Sequence, residues 1–285
     1  MNADKKIAVI IINWKKYDFT LNCIDSVLKS SYKNFKIILI DNESQNGFPD
    51  EINNTDKIHI IKNKNNEGFA RANNQGIKYS IKNGFDYVLL LNNDTVIKND
   101  LLYLLMKHSN TFNQKIIQPL ILNYEGSKIW NAGGTINNFF GTFKTLNKGE
   151  SFKNFKSNRN LTEWFTGCCV LIKTDVFKDI GYFDERFFAY YEDVDFSIRL
   201  KSKGYSVAMM NDSYLQHFES ASSKSSNQNE GNLSSYVHYL NIRNHILLLK
   251  KHSKSFNVLG VFTFQLIKIL SYLIYFLIRF RFNKF

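Results

Sequence analysis

Apolar segments alternate with amphipathic segments over the first hundred residues, and this alternation constrains the fold most. The apolar runs, rich in Val, Ile and Leu, are 6–13, 35–40, 58–62 and 85–91. Between them, segments 19–30 and 70–83 space their apolar side chains as a helix does. Continuous apolar strands belong to a sheet that is covered on both faces. The order of strands and helices therefore predicts a largely parallel α/β sheet with right-handed crossovers.

Polar residues close three of the predicted strands. Asn13 follows the first run, Asp41 the second and Asp94 the fourth. Parallel strands bring their carboxyl ends to one edge of the sheet, where α/β proteins bind ligands, and a carboxylate there can hold Mg²⁺ or Mn²⁺ beside a phosphate. Asp94 is equally well explained as the cap of a helix that begins after Thr95, and Asp41 as part of an Asx turn with Ser44.

A glycine-containing loop, 65–70, enters the second predicted helix. Helix N-termini attract phosphate through free N–H groups, and Arg71 could add a charge-assisted contact. An ordinary loop with exposed Asn residues is the alternative interpretation.

A second acidic cluster, Glu192, Asp193 and Asp195, precedes a helical segment at 197–200. Neighbouring carboxylates raise one another's pKa toward the range that suits a general base. The helix dipole also favours acidic residues in a first turn, a role that Asp195 can fill while Asp193 does the chemistry. His217 could ligate a metal or contact phosphate, although a lone His is more often structural.

The three cysteines, Cys23, Cys168 and Cys169, lack the spacing of a disulfide framework or a metal site. We therefore expect buried packing roles and a reducing compartment. The first 12 residues lack a secretory apolar core and cleavage site, so export is not expected. Segment 118–160 has weak periodicity, with glycines among aromatic residues, and is expected to be irregular or β-rich.

The carboxyl-terminal part of the chain is basic and apolar. The net charge is +12, no acidic residue follows Glu230, and eight Lys and Arg do. A basic surplus beside the apolar stretch 258–278 favours an anionic membrane over nucleic acid. Gln265 and Lys268 interrupt that stretch, and a central Lys costs roughly 2.5–3.5 kcal/mol in a bilayer. An in-plane amphipathic helix is thus predicted ahead of a packed helix and of a spanning one.

The order of these motifs resembles that of the inverting family-2 nucleotide-sugar glycosyltransferases, particularly their rhamnosyltransferase-like branch. The matching segments are 10–14, 40–44, 66–70 with 73–76, 91–94, 166–169, and 183–185 leading to 192–195. The resemblance implies an A-type glycosyltransferase fold, in which a Rossmann-like, mostly parallel central sheet has helices on both faces. The chain would add a C-terminal amphipathic helical tail.

The expected catalytic domain is 1–240, with a nucleotide-binding half to about 96, an acceptor-binding half at 97–218 and a flexible loop at 219–235. The tail, 241–285, would serve membrane association or packing. By resemblance, Asp193 is the catalytic base and Asp94 holds the metal, for which His217 is a second candidate. The implied donor-binding residues are Asn13, Asp41, Asn66, Arg71, Asn74 and Asn93, and the acceptor-binding residues are Trp164, Gly167 and Glu192. Asn92 and Asn93 stand where the family often has another carboxylate or a Pro, so we expect weak metal binding without donor.

The implied reaction is a metal-assisted direct displacement with inversion. It would move rhamnose or another hexose from a dTDP- or UDP-sugar to a hydroxyl of a lipid-linked or growing cell-surface saccharide. The enzyme would be cytoplasmic and peripheral on the inner face of the cell membrane, would bind no nucleic acid, and could form a homodimer. The competing hypothesis is a catalytically silent, membrane-associated nucleotide-sugar binder, against which the presence of Asp94 and Asp193 argues.

Overall fold

A mixed, ten-stranded sheet lies at the centre of the computed structural model, which describes residues 5–43, 52, 55–157, 159–218 and 234–278. The strands are β1 (Ile7–Asn13), β2 (Phe35–Asn42), β3 (Ile58–Asn63), β4 (Tyr87–Asn92), β5 (Thr95–Ile97), β6 (Ile116–Asn123), β7 (Ile129–Asn131), β8 (Gly134–Asn137), β9 (Thr142–Thr145), β10 (Leu161–Thr162), β11 (Cys169–Lys173) and β12 (Val207–His217). The helices are α1 (Tyr17–Leu28), α2 (Gly68–Lys82), α3 (Leu101–Phe112), α4 (Thr174–Ile180), α5 (Glu192–Ser202), α6 (Ser235–Lys251) and α7 (Val258–Ile278).

The first half of the sheet is parallel, as predicted, with the order β3–β2–β1–β4. In the second half β11 lies between β4 and β6 and runs antiparallel to both. The chain leaves β6 at the carboxyl edge of the sheet, and β11 begins at that same edge, because Cys169 is paired with Leu91 near the end of β4; β11 must therefore run in the opposite direction. The weakly periodic segment 118–160 is β-rich, as expected, and supplies the separate β8–β9 hairpin.

Helices cover both faces of the sheet. On one face α1 and α3 pack on β1, β4 and β6, and on the other α2, α4 and α5 pack on the opposite side chains of the same strands. Cys23, Cys168 and Cys169 are free thiols buried in the first of these cores, as predicted. The alternative of a helix that begins after Thr95 is wrong, because β5 starts at Thr95 and pairs with β12, and α3 begins only at Leu101.

Two helices follow the sheet. α6 packs on α5 in a third apolar cluster that includes Phe187, Leu248 and Phe256. α7 is long and apolar enough to cross a membrane, and its side chains are nearly all exposed. The boundary expected at residue 240 falls within α6, and most of the expected loop at 219–235, like Ser44 of the proposed Asx turn, lies outside the described residues.

Candidate active site

The ends of β1 and β2 bring two predicted donor-binding residues side by side. Asn13 is paired with Asp41 across the two strands, and Asn13 Nδ2 lies 3.4 Å from Asp41 Oδ1. The buried Thr20 hydroxyl donates to Asn13 Oδ1 (2.7 Å) and accepts from Asn93 Nδ2 (2.9 Å). One hydrogen-bonded chain therefore joins Asp41, Asn13 and Asn93. The sequence patterns did not indicate Thr20, which gives no signal beyond its place in an amphipathic helix.

Asn66 and Arg71 lie at the start of α2. Asn66 Oδ1 accepts hydrogen bonds from Asn42 Nδ2 (2.8 Å) and from the Gly68 N–H (2.9 Å), which orients the loop against the end of β2. Arg71 forms an ion pair with Glu67 (2.9 Å), and about half of its side chain is exposed. Its guanidinium is thus held at the helix N-terminus while part of it remains open to solvent.

Asn74 has a different environment from the other predicted donor-binding residues. It is buried, its Nδ2 donates to the Phe183 carbonyl (2.9 Å) and to Glu185 Oε1 (3.0 Å), and its Oδ1 accepts from the Phe183 N–H (3.0 Å). These bonds use both donor hydrogens of the amide. In this structure Asn74 ties α2 to the segment that precedes α5.

Asp94 and His217 lie together where β5 pairs with the end of β12. Asp94 Oδ1 is 3.1 Å from His217 Nε2, both side chains are buried, and the Trp130 ring packs edge-on against the imidazole. This pair has no hydrogen-bond geometry, and Asp94 Oδ1 and His217 Nδ1 have no hydrogen-bond partner among the described residues. Buried polar atoms without partners are rare, so Asp94 Oδ1, which lies next to His217 Nε2, is suited to an additional ligand.

The Asp94 and His217 pair fits a divalent cation. Neighbouring ligands of an octahedral Mg²⁺ lie about 3 Å apart, close to the separation observed here, and imidazole and carboxylate both suit Mn²⁺. No cluster of three or more His, Cys, Asp or Glu side chains suited to a metal occurs in the part of the chain that the structure describes. A cation here would therefore need further oxygen ligands from substrate or water.

Asp193 stands in the first turn of α5 with its carboxylate half-buried. Its two oxygens accept hydrogen bonds from the backbone N–H groups of Gly167 (3.0 Å) and Val194 (2.8 Å). Burial raises the pKa of Asp193 above its ordinary value, while these two hydrogen bonds oppose the rise. A carboxylate with a raised pKa that faces a cleft can act as a general base.

Glu192 precedes Asp193 and is more deeply buried. Its Oε2 has no hydrogen-bond partner among the described side chains and backbone groups. Burial, together with the charge of Asp193, raises the pKa of Glu192 well above its ordinary value. Glu192 therefore keeps its proton to a higher pH than an ordinary Glu does, and in that form it can donate a hydrogen bond.

Cys168 connects the metal pair with the acidic pair. Burial raises the pKa of its thiol, and the charges of Asp94 and Asp193 both add to that rise. The side chain therefore lies within electrostatic range of both carboxylates. The backbone of Cys168 is fixed against the end of β4, because the Cys168 carbonyl accepts from the Asn92 N–H (2.8 Å). Because the adjacent Gly167 N–H donates to Asp193, segment 167–168 links the two acidic motifs, which are about a hundred residues apart in sequence.

The two other predicted acceptor-binding positions have packing roles as well. A Cβ atom at Gly167 would lie 2.9 Å from the Phe69 ring, so glycine is needed for this close approach. Trp164 is largely buried, its Nε1 donates to the Thr135 carbonyl (3.3 Å), and its indole covers Gly134 so closely that a Cβ there would come within 2.0 Å. Trp164 therefore holds the β8–β9 hairpin against the domain.

A buried amide on α6 supports the loop before Glu192. This loop contains three residues with positive φ, namely Phe188 (63°), Tyr190 (71°) and Tyr191 (72°). Asn244 Nδ2 lies within hydrogen-bond distance of three carbonyl oxygens of the loop, those of Phe187 (2.7 Å), Ala189 (2.7 Å) and Tyr190 (2.9 Å). Sequence analysis missed Asn244; its only signal is an amide in a helix with several apolar residues.

Asp195 anchors the C-terminal end of α6. It is fully buried and accepts from Arg199 Nε (2.9 Å) and His252 Nε2 (2.8 Å), with Lys251 Nζ at 2.6 Å. Burial alone would raise the pKa of Asp195, but the hydrogen bond from His252 and the charges of Arg199 and Lys251 hold it below its ordinary value. Asp195 is thus an ion-paired structural residue, distinct from its neighbour Asp193.

The fold and the sequence together place this chain among the glycosyltransferases. The sequence pattern of glycosyl transferase family 2 matches residues 8–181, and the chain belongs to that family. It is 30% identical over 206 residues to the low-salt glycan biosynthesis hexosyltransferase Agl10 of Haloferax volcanii, a match that covers 70% of this chain and 63% of that protein. It is also 26% identical to the dTDP-rhamnosyl transferase RfbF of Shigella flexneri, over 88% of this chain and 82% of that protein.

Solved structures agree on the fold. The mannosyltransferase PcManGT of Pyrobaculum calidifontis, in complex with GDP-Man and Mn²⁺, has a TM-score of 0.59 and 11% identity over 89% of this chain and 65% of that one. The A-type glycosyltransferase fold predicted from the sequence is confirmed by this likeness.

Proposed function

We propose that this enzyme is an inverting glycosyltransferase that moves rhamnose or another hexose from a dTDP- or UDP-sugar to a hydroxyl of a lipid-linked or growing cell-surface saccharide. The observation that carries the proposal is the link between Asp193 and the Asp94–His217 pair through segment 167–168, where the Gly167 N–H donates to Asp193 and the Cys168 carbonyl accepts from the Asn92 N–H. Similarity to a dTDP-rhamnosyl transferase and to a hexosyltransferase supports the choice of sugar class.

Asp193 is the base of the proposed reaction. It takes the proton of the acceptor hydroxyl as that oxygen attacks the anomeric carbon, and the bond from this carbon to the nucleoside diphosphate breaks on the opposite face, which inverts the configuration. The Gly167 and Val194 N–H groups orient the carboxylate. Protonated Glu192 would donate a hydrogen bond to the acceptor, with Gly167 and Trp164 shaping that side of the cleft.

The donor would lie at the carboxyl edge of the parallel strands. Asp41 and Asn13 are placed to bind the nucleoside, and Asn66, Arg71 and Asn93 are placed beside it, while Asn74 would act by holding α2. Mg²⁺ or Mn²⁺ held by Asp94 and His217 would supply positive charge beside the diphosphate. The basic, apolar tail would keep the enzyme peripheral on an anionic membrane, at the cytoplasmic face where a lipid-linked acceptor is found.

The test is a titration of the purified protein with dTDP-, UDP- and GDP-sugars, with and without Mn²⁺, that follows heat of binding and release of nucleoside diphosphate. We expect metal-dependent binding of one donor with slow hydrolysis. Asp193→Asn should keep donor binding and lose turnover by about 10²- to 10⁴-fold, the usual contribution of a positioned base. Donor binding without any turnover in the unaltered protein, given its acceptor, would instead identify a silent nucleotide-sugar binder.

A further inference from the structure

The polar residues that interrupt α7 face the protein. His245 of α6 is buried, burial lowers its pKa to about 4, and its Nε2–H donates to the Gly141 carbonyl (2.7 Å). Its Nδ1 is therefore an acceptor, and Lys268 Nζ lies 3.1 Å from it, with Gln265 Nε2 at 3.5 Å. These contacts hold the polar side of α7 against α6. The apolar side of α7 therefore faces away from the protein.

The tip of the β8–β9 hairpin extends this outward side. Phe139 and Phe140 are 53% and 42% exposed. The Asn257 N–H donates to the Asn138 carbonyl (2.9 Å), and the Phe140 ring lies 6.1 Å from that of Phe264. Gly260 permits the contact, because a Cβ there would come within 2.3 Å of the Phe139 carbonyl oxygen. The hairpin tip and α7 thus form one continuous surface, called here the α7–hairpin surface.

A lipid bilayer fits this surface better than a second helix does. The exposed apolar side chains of α7 occupy more than one side of the helix: Leu259, Phe262, Leu266, Ile267, Leu270, Leu273, Ile274, Leu277 and Ile278. A single partner helix would cover one stripe and leave the rest in water. The last 55 residues carry eight Lys and Arg and no acidic residue, which matches anionic headgroups.

We propose that the α7–hairpin surface inserts into the headgroup and upper acyl region of an anionic bilayer, with α7 parallel to the membrane plane. A spanning α7 would have to break the Lys268–His245 contact and carry the Lys side chain into hydrocarbon. The proposal rests on the membrane association proposed above and adds the contact face and its orientation. Tyr191, next to Glu192, stacks on His245 (5.3 Å), so the acceptor side of the cleft lies beside the membrane-bound element.

The contact face is tested by flotation of the full chain with vesicles of phosphatidylglycerol and phosphatidylethanolamine. We expect the double change Phe139→Ser with Phe140→Ser to weaken binding to vesicles about tenfold or more, because it removes two aromatic side chains that the bilayer would bury. Phe112→Ser is the matched control, because Phe112 is 60% exposed at the end of α3, which packs on the other face of the sheet. Equal flotation of the double variant and the control would overturn the role of the hairpin.

The orientation is tested by nitroxide labels on introduced cysteines, since Cys23, Cys168 and Cys169 are buried. Leu259→Cys, Leu270→Cys and Leu277→Cys lie within about 20° of one line along the helix, at 100° per residue. An in-plane α7 puts all three labels at one shallow depth. A deep label at Leu270 with shallow labels at the ends would show a spanning helix and overturn the proposal.

The two experiments separate this proposal from those on which it rests. If the unaltered chain does not float, membrane association itself fails and the contact face fails with it. If the chain sediments as a dimer that the Leu270→Cys label disrupts, and binds no vesicles, the surface joins two copies instead. Loss of transferase activity alone would leave both membrane measurements unchanged.

Discussion

Glu192 and Asp193 show how two adjacent carboxyl groups acquire different chemistry. Asp193 receives two backbone hydrogen bonds that stabilise its charge, whereas Glu192 Oε2 has none among the described residues. Burial raises the pKa of both groups, but the charge of Asp193 adds to the rise at Glu192, whereas the Gly167 and Val194 N–H groups oppose the rise at Asp193. The sequence shows only that the two are neighbours.

Removing the Glu192 carboxyl should stabilise the protein at neutral pH. A carboxyl with a raised folded-state pKa binds more protons in the folded than in the unfolded state, so its unfavourable contribution begins above its ordinary pKa of about 4.3 and grows with pH. The free energy of unfolding of Glu192→Gln, minus that of the unaltered protein, should therefore be larger at pH 8 than at pH 4. Urea unfolding at both pH values measures this, and a gain independent of pH would contradict the buried, protonated Glu192.

The raised pKa of Asp193 should also appear in catalysis. The base must be ionised, so kcat/KM should fall as the pH falls through a value above about 3.9, the ordinary pKa of an Asp. The measurement is the pH profile of kcat/KM for the acceptor, taken with saturating donor and limiting acceptor. An acid limb at or below the ordinary Asp value would argue against Asp193 as the base.

Asp94 and His217 should behave as a unit. Asp94→Ala and His217→Ala should each abolish the dependence of donor affinity on Mn²⁺, and the double variant should lose little more than either single one, because two ligands of one ion are not additive. Donor titrations with and without Mn²⁺ in all three variants provide the comparison. Additive losses, or Mn²⁺ dependence that survives in any of the three, would mean that the two side chains do not share a cation.

At the scale of elements, α6 determines the shape of the loop that presents the acidic pair. Backbone with positive φ is costly for bulky residues, and Phe188, Tyr190 and Tyr191 adopt it here together. The contacts of Asn244 with three loop carbonyls offset that cost. A helix far along the chain thereby positions the proposed base.

Asn244→Ala should lower kcat by roughly ten- to hundredfold through misplacement of the loop, and stability by about 1–3 kcal/mol through unpaired buried carbonyls. Donor affinity should fall less than kcat, because the loop reaches the donor side through Phe188, whose carbonyl accepts from the Ala70 N–H (3.0 Å) at the start of α2. Asn241→Ala is the control, since among the described residues the Asn241 side chain bonds within its own helix, to the Val237 carbonyl (2.9 Å). Steady-state kinetics and thermal unfolding of both variants test this, and equal effects would remove the positioning role.

At the scale of the whole molecule, the catalytic unit extends through α6. Asp195 pairs with Lys251 and His252, and Leu248 and Leu249 complete an apolar cluster with Phe187 and Trp164. The division at residue 240 proposed from the sequence would cut these contacts.

Two truncations distinguish the boundaries. A chain that ends at residue 257 should fold and bind donor, because α7 contributes only Gly260 and Phe276 as buried residues. A chain that ends at 240 should be strongly destabilised, because it leaves the Asp195 carboxylate buried without Lys251 and His252. Thermal unfolding and donor binding of the two chains provide the measurement, and a stable chain 1–240 would support the boundary proposed from the sequence.

Local patterns by themselves determined the βα alternation, the parallel direction of the first four long strands and the arrival of Asn13 and Asp41 at one edge. The spacing of apolar residues and the direction of the strands suffice to predict these features, because a parallel register aligns the strand ends without reference to the rest of the chain. The contact between Asp94 and His217 depends on β5 pairing with β12, more than a hundred residues later.

Only the tertiary structure decided which polar residues face the cleft and which face the core. Asn74 and Asn244 have the same side chain as Asn13, yet each bonds to a distant loop, and Lys268 faces a histidine of another helix. The reversal of β11 likewise follows from where the chain leaves β6. Such outcomes depend on contacts between residues far apart in sequence, and neither helical period nor strand alternation carries information about them.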